Sequence, residues 1–305
     1  MTAKGGKAAR AKEQAGSHGP LGALGRLLSG PLRWVVGLGL VVAIVAAGGY
    51  ALRQHVRQQL IATERYFLHA ERIHITPPPE WIKADIRGEV VRLGSLDEPL
   101  SLLDDDLAQR VARAFGLHPW VAEVVRVQKR APADVDVELT YRRPVAMVEV
   151  PGGLYPVDLA GVLLPTDDFT PQEAQRYPRI GGIAVLPLGT VGSDWGDPRV
   201  RQAAQLGAAL GDVWVTWKLD RIVPGPDSSG EPASFELYTR SGTRIVWGHA
   251  PGCEAAGTAP AAEKLAWLEA YFTQHATFDG REGPQEIDLR QSGPAAVAPR
   301  TAGRP

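Results

Sequence analysis

Residues 34–52 read WVVGLGLVVAIVAAGGYAL, a run of 19 residues without a charged side chain, closed at its two ends by Arg33 and Arg53. A helix rises about 1.5 Å per residue, so this run spans about 28 Å, close to the thickness of a bilayer's hydrocarbon core. A cleaved signal peptide is the alternative, with Ala46-Ala47-Gly48 resembling a cleavage site, but its apolar core is usually only about 7–15 residues long. We therefore predict a transmembrane helix over residues 34–52 that stays attached to the chain.

The segment before the anchor is basic. Residues 1–33 carry six Lys and Arg residues against one acid, Glu13, whereas Glu64 and Glu71 offset part of the positive charge after the span. Positive segments beside a membrane span tend to stay in the cytoplasm. Because residues 1–33 are rich in Gly, Ala, Lys and Ser and lack apolar periodicity, we predict a disordered basic cytoplasmic arm.

The charge balance and the cysteine count of the chain limit which partners and sites it can have. The 33 basic residues nearly balance the 34 acidic ones, which argues against nucleic acid as the main partner, since nucleic-acid-binding domains are usually strongly basic. Cys253 is the only cysteine, so an internal disulfide and a C-x-x-C metal or redox site are excluded. Residues 53–305 are enough for two modest domains.

The first part after the anchor predicts a small α+β unit. Residues 53–71 contain no Gly or Pro and are predicted as a juxtamembrane helix that continues the span. Over residues 72–148 the patterns predict a strand, two helices and two further strands, an order typical of two helices on one face of a sheet. The second helix begins at the acids 104–106, which we interpret as favouring the helix N-terminus rather than as a metal site.

Residues 149–291 predict a mixed β-domain with two helices. One helix starts at Asp197-Pro198, an N-cap acid followed by proline, and the other near Pro260. Hairpin turns are predicted at Gly161 and at Ser241-Gly242. Alternating apolar residues at 213, 215, 217 and 219 predict a strand, and the last predicted strand covers residues 286–290. Residues 292–305 are predicted to be a flexible tail.

An ordered set of motifs follows the anchor. It comprises His118-Pro119-Trp120-Val121, residues 135–139 (VDVEL), Arg143-Pro144-Val145-Ala146, residues 157–163 (VDLAGVL), 178–182 (PRIGG), 242–248 (GTRIVWG), 263–265 (EKL) and 287–290 (IDLR). With the anchor, this set covers about residues 30–291 and resembles the FtsQ/DivIB family of bacterial cell-division proteins.

The resemblance implies a POTRA domain (β-α-α-β-β) for residues 72–148 and the family's β-domain for residues 149–291. It also implies a non-catalytic scaffold of the division complex, the divisome, with no cofactor. Such a protein crosses the cytoplasmic membrane once as a type II protein at the septum, with its body in the periplasm or extracytoplasmic space. Its expected partners are FtsB-like and FtsL-like bitopic coiled-coil proteins, other divisome proteins and membrane lipid around the helix, and it helps to regulate septal peptidoglycan synthesis.

The resemblance also implies a partner-binding strand at the end of the β-domain. A sheet edge leaves backbone N–H and C=O groups unpaired, and another chain can add a strand there. Pro294 interrupts the segment after Asp288-Leu289-Arg290, and the aromatic residues usual in the family are missing there, so pairing is expected to be short or one-sided. The candidate residues are Ile287, Asp288, Leu289, Arg290, Gln291, Ser292, Ala295 and Ala296.

Two other classes of function stay as alternatives. A membrane-anchored cell-wall hydrolase needs a nucleophile with a base, or a metal with its ligands. The chain contains no H-E-x-x-H, G-x-S-x-G or S-x-x-K motif. A membrane-anchored POTRA-type scaffold of a secretion or envelope-assembly machine is disfavoured only by the resemblance. An outer-membrane factor would need a barrel of many alternating strands after Val148, and the two predicted helices argue against one.

Overall fold

The structure is a computed structural model, which describes residues 32–61, 67–96, 100–225, 233–291 and 295–299. It divides into two compact units, Met1–Glu64 and Arg65–Pro305. Residues 1–31 of the predicted cytoplasmic arm lie outside the described residues.

The first unit contains one long helix, α1 (Leu32–Ile61). Within it, Gly37–His55 is long and apolar enough to cross a membrane, and none of this window is buried inside the protein. One candidate span is therefore confirmed where the charge-free run predicted it.

The juxtamembrane helix is shorter than predicted. Helix α1 passes the end of the apolar run but ends at Ile61 rather than at residue 71. Residues 62–66 lie outside the described part, and then β1 (Phe67–Leu68) and a 3-10 turn (Ala70–Arg72) follow. The side chain of Leu68 is buried in the core of the second unit, so tertiary packing overrides the helix propensity of this segment.

The N-terminal half of the second unit continues after β1 with β2 (Ile73–Ile75), α2 (Ile86–Leu93), β3 (Leu100–Ser101), α3 (Leu107–Gly116), β4 (Val121–Arg130) and β5 (Asp134–Tyr141). Three of these strands form a sheet in the order β2-β5-β4, with β5 parallel to β2 and antiparallel to β4. A separate short pair joins β1 to β3.

Periodicity explains this half. In β5 the side chains of Val135, Val137 and Leu139 are buried by period two. Helix α3 buries Leu107 and Phe115 on one face, as expected for an amphipathic helix. Strand, helix, helix, strand and strand thus follow one another with the short β3 inserted, and the assignment of this half as a POTRA domain stays a prediction.

The C-terminal half contains the strands and helices β6 (Pro144–Val150), β7 (Gly153–Asp158), α4 (Pro171–Ala174), β8 (Arg179–Ile180), α5 (Pro198–Leu210), β9 (Leu219–Pro224), β10 (Ser234–Thr239), β11 (Arg244–His249), α6 (Ala261–His275), β12 (Gln285–Asp288) and β13 (Ala296–Pro299). These eight strands form one sheet, in the order β13-β12-β11-β10-β9-β8-β6-β7.

Helices α5 and α6 confirm the two helices predicted for this half. Asp197 caps α5 by accepting a hydrogen bond from the backbone N–H of Arg199 at 2.9 Å, with Pro198 in the first turn. The predicted hairpin around Ser241-Gly242 is also present as β10 and β11.

The strand predicted over residues 213–219 is wrong. Residues 211–218 form successive turns, and β9 begins only at Leu219. The buried side chains here are Trp214 and Trp217, which are three residues apart, and the N–H of Trp217 donates to the carbonyl of Val213 at 2.8 Å. The two buried tryptophans are spaced as on one face of a helix, whereas the apolar residues at 213, 215, 217 and 219 alternate with the period of two that is typical of a strand.

The two halves of the second unit are joined by hydrogen bonds to a buried carboxylate. Asp168 accepts from the indole Nε1 of Trp120 at 2.7 Å and from the backbone N–H groups of Lys83 and Ala84 at 2.8 and 2.9 Å. Arg142, just before β6, donates to Asp158 at 2.8 Å. Buried charge-assisted bonds of this kind fix one half of the unit against the other.

The C-terminal tail differs from its prediction. Residues 292–294 and 300–305 lie outside the described part, but residues 296–299 form β13, which pairs antiparallel with β12. Strand β12 is therefore followed by another strand of the same sheet.

Candidate partner-binding edge

Strand β12 is anchored to the sheet on one side by β11. The two strands run parallel, with Ile287 beside Ile245 and Asp288 beside Val246. The side chains of Gln285 and Ile287 are buried, whereas Glu286 and Asp288 lie on the opposite, partly exposed face. This alternation places an apolar anchor under the strand and two acids on its outer face.

Three strands are joined across that outer face by ion pairs. Arg244 of β11 donates from Nη1 to Glu286 of β12 at 2.8 Å and from Nε to Glu236 of β10 at 2.9 Å. A second bond links Nη2 to Glu236, and the hydroxyl of Tyr238 donates to the same carboxylate. The hydrogen bonds to Glu236, and then those to Glu286, raise the pKa of Arg244 above its ordinary value. We call Glu236, Arg244 and Glu286 the charge ladder.

The turn after β12 is held by an ion pair within the motif Asp288-Leu289-Arg290. The guanidinium of Arg290 donates from Nε to Asp288 Oδ1 at 3.0 Å and from Nη2 to Oδ2 at 2.6 Å, and its backbone N–H also donates to Oδ1 at 3.0 Å. These bonds lower the pKa of the Asp288 carboxyl. Leu289 is buried, and its N–H donates to the carbonyl of Val246 at 3.0 Å. The motif thus closes the end of β12 against β11.

A buried lysine supports the same corner. Lys264 of α6 donates from Nζ to the carbonyl of Trp247 at 2.7 Å and lies 5.2 Å from the centroid of that indole ring. Burial lowers its pKa, and the charges of Glu254 and Asp288 oppose that shift. The cation therefore joins helix α6 to the end of β11, in good geometry for a cation–π contact.

Gly248 lets these side chains approach the strand. Its φ is +86°, and a Cβ built there would lie 3.3 Å from Cγ of Arg290 and 3.6 Å from Nζ of Lys264. Both the left-handed backbone and the close approach favour glycine at this position.

The outer edge of β12 is occupied by β13. Asp288 pairs with Ala296, Ile287 with Val297, Glu286 with Ala298 and Gln285 with Pro299. The prediction of a last strand without a successor is therefore wrong. A segment with two Ala residues and a Pro has low strand propensity, so its sequence alone did not indicate a strand.

The predicted site residues are only partly brought together. Ile287 and Asp288 belong to β12, and Ala296 pairs with Asp288 from β13. Leu289, Arg290 and Gln291 follow β12, and Ala295 packs against the core. Ser292 lies outside the described residues.

Sequence reasoning missed the charge ladder and the role of Lys264. The hairpin turn at Ser241-Gly242 was predicted, and counting residues outward from it places Arg244 near Glu236, the acid of β10. The acid of β12 that bonds Arg244 is Glu286. It could be identified only from the parallel pairing of β11 with β12, and no local pattern in the sequence indicates that pairing. In the part of the chain that the structure describes, no group of three or more His, Cys, Asp or Glu side chains is arranged to hold a metal ion.

Comparison with known proteins gives two curated relatives, whereas no family model matches the chain. Cell division protein FtsQ of Myxococcus fulvus (strain ATCC BAA-855 / HW-1) is 32% identical over 149 residues, 49% of this chain and 47% of the relative. Cell division protein FtsQ of Anaeromyxobacter sp. (strain K) is 29% identical over 208 residues, 67% of this chain and 63% of the relative. The chain thus matches between about half and two thirds of the length of these relatives. Together the two matches confirm the resemblance seen in the motifs and support the assignment of this chain to the FtsQ family.

Proposed function

We propose that this chain is a membrane-anchored, non-catalytic cell-division protein that acts by binding other proteins of the divisome. Both curated relatives carry the name of a cell-division protein, and α1 supplies a candidate membrane anchor. The N-terminus lies in the cytoplasm and the second unit on the other side of the membrane, at the division septum. Support for this orientation comes from the excess of Lys and Arg before the span.

The observation that carries the proposal is the construction of the sheet's C-terminal edge. The charge ladder, the Asp288–Arg290 ion pair and Lys264 hold β12 and its turn in one geometry. When its outer edge is not occupied by β13, a strand held in place in this way binds an extended segment at lower entropic cost, because the order is already present before binding. Backbone hydrogen bonds then provide affinity, and the side chains on each face provide selectivity.

The partners that fit this edge are FtsB-like and FtsL-like bitopic proteins, each with an extended segment outside the membrane. Binding them places the chain among the regulators of septal peptidoglycan synthesis. The N-terminal half of the second unit serves in recruitment through other divisome proteins. These roles follow from the family, and the edge geometry supplies a physical route for the first of them.

Co-purification tests the proposal. The tagged full-length chain is extracted from its native membrane in mild detergent, and the attached proteins are identified by mass spectrometry. Arg290→Ala breaks the ion pair next to β12. Arg199→Ala is the matched control. Arg199 makes an ion pair of the same kind, with an aspartate two residues before it, because its Nη2 donates to Oδ2 of Asp197 at the start of α5 at 2.7 Å.

We expect single-span coiled-coil proteins to accompany the native chain and the Arg199→Ala variant, and their recovery to fall about fivefold with Arg290→Ala. That factor corresponds to about 1 kcal/mol of binding free energy, lost because the edge is less ordered before binding. Equal recovery with both variants would place the interface elsewhere. Absence of such proteins from every sample would contradict the division role itself.

A further inference from the structure

Strand β13 is attached to the molecule by little except its backbone. All four of its side chains are exposed, including Val297 at 44%. Ala295, just before it, is the neighbouring residue that packs against the core. Burial of apolar surface, the main favourable contribution to folding, is therefore nearly absent from this strand.

The composition of β13 adds to its weakness. Ala296 and Ala298 have poor strand propensity, and Pro299 has no N–H to donate to Gln285 across the pair. By contrast, β12 buries Ile287 and is joined to β11 by the Arg244–Glu286 ion pair. Ordering residues costs conformational entropy whether or not they bury apolar surface, so β13 is far closer to detachment than β12.

We propose that β13 is a cover strand, which occupies the outer edge of β12 until an extended segment of a partner protein displaces it. This inference rests on the proposed function, because it identifies β12 as the strand that the partner joins. The segment that fits is one with larger apolar or β-branched side chains opposite Ile287 and Glu286. Such side chains gain cross-strand contacts that Val297 and Ala298 provide only in part.

The cover strand makes partner binding conditional. Since β13 belongs to the same chain, it competes at high effective concentration, and the partner binds only to the fraction of molecules in which the edge is free. If that fraction is about one tenth, removal of β13 tightens partner binding about tenfold. The cover also protects an otherwise open edge from pairing with unrelated strands.

The experiment compares three forms of the full-length protein in mild detergent. The native chain has β13 free to detach, and a chain that stops after Gln291 lacks it. The third form carries Glu286→Cys with Ala298→Cys, at positions that face each other across the two strands, in a Cys253→Ser background. Its oxidised form locks the cover, and the same protein after reduction is the matched control.

Amide hydrogen exchange tests detachment without any partner. Because β13 is the edge strand of the sheet, only alternate amides of β13 point toward β12, and one of the two adjacent amides of Val297 and Ala298 therefore reports on the pairing. We expect that amide to exchange about 100-fold faster than those of β10 and β11 in the native chain, through local opening. Oxidation of the cysteine pair should slow its exchange. Protection equal to that of β10 and β11 would overturn the inference.

Recovery of single-span coiled-coil proteins from the native membrane tests displacement. We expect recovery to rise when β13 is removed. The cysteine pair lacks the bond from Arg244 to Glu286 in both redox states, so its two states are compared with each other, and recovery should be lower from the oxidised form than from the reduced form. Lower recovery without β13, in a chain that binds the partner when intact, would show that β13 belongs to the docking surface. That result overturns displacement and leaves the proposed function standing. If no form of the protein recovers such partners, the proposed function fails, and hydrogen exchange alone decides whether β13 detaches.

Discussion

Replacement of Arg244 by Met should destabilise the C-terminal half of the second unit measurably, because this guanidinium joins three strands. The exposed side-chain fractions are 30% for Arg244, 21% for Glu236 and 40% for Glu286. Fully exposed ion pairs contribute about 0.2–1 kcal/mol, and hydrogen bonds to charged groups that are better buried contribute about 1.5–3 kcal/mol.

The expected cost follows from where each pair lies between these limits. The pair with Glu236 has two direct hydrogen bonds and the lower exposure, so we assign it about 1 kcal/mol. The pair with Glu286 is more exposed, so solvent screens it more strongly, and we assign it a contribution of about 0.5 kcal/mol. Arg244→Met should therefore lower the free energy of unfolding by about 1.5 kcal/mol.

The assay is urea unfolding of the full-length chain in detergent, followed by tryptophan fluorescence. Arg126→Met is the matched control, since Arg126 pairs with Glu138 across two strands at 3.2 Å with both side chains more than half exposed. That variant should change the free energy by less than about 0.3 kcal/mol. If the two substitutions cost the same, the ladder does not hold the strands together, and the reasoning from its geometry is wrong.

Three further predictions concern the same corner of the sheet. Ile287→Ala should lower the free energy of unfolding by about 2–4 kcal/mol in the same urea assay because this side chain is fully buried, whereas Val297→Ala, in the exposed cover strand, should cost less than about 0.5 kcal/mol. Gly248→Ala should cost about 1 kcal/mol more than Gly252→Ala, because both residues have a positive φ but only Gly248 has side chains within 4 Å; equal costs would refute the steric argument. The lowered pKa of Asp288 contributes stability that is complete above the ordinary Asp pKa near 4 and is lost as the pH falls through the lower folded value. Urea titrations between pH 6 and about 2.5 should therefore show a steeper acid loss for the native chain than for Asp288→Asn.

The elements that the sequence predicts correctly have strong local signals. A charge-free run of membrane length, period-two alternation in β5 and an aspartate–proline start to α5 each depend on neighbouring residues alone. Their outcome does not depend on how distant parts of the chain pair, and the structure contains all three.

The elements that were missed depend on contacts between distant segments. The short strand β1 and the 3-10 turn, found where a helix was predicted, depend on the burial of Leu68 among residues distant in the chain. Strand β13 exists only because β12 offers it an edge, since two alanines and a proline have little intrinsic preference for a strand. The charge ladder requires a parallel pairing between residues 244 and 286. At the candidate site, the sequence could identify the motif Asp288-Leu289-Arg290 but not the strand that covers it.

Site-specific photo-cross-linking in growing cells tests the central claim most directly. A photoreactive residue at Gln291, exposed beside the end of β12, is compared with one at Leu159, which is 53% exposed just after β7 at the opposite edge of the same sheet. We predict cross-links to a single-span coiled-coil protein from position 291 and none from position 159. Cross-links to such a protein from position 159, with none from position 291, would contradict binding at the C-terminal edge of the sheet.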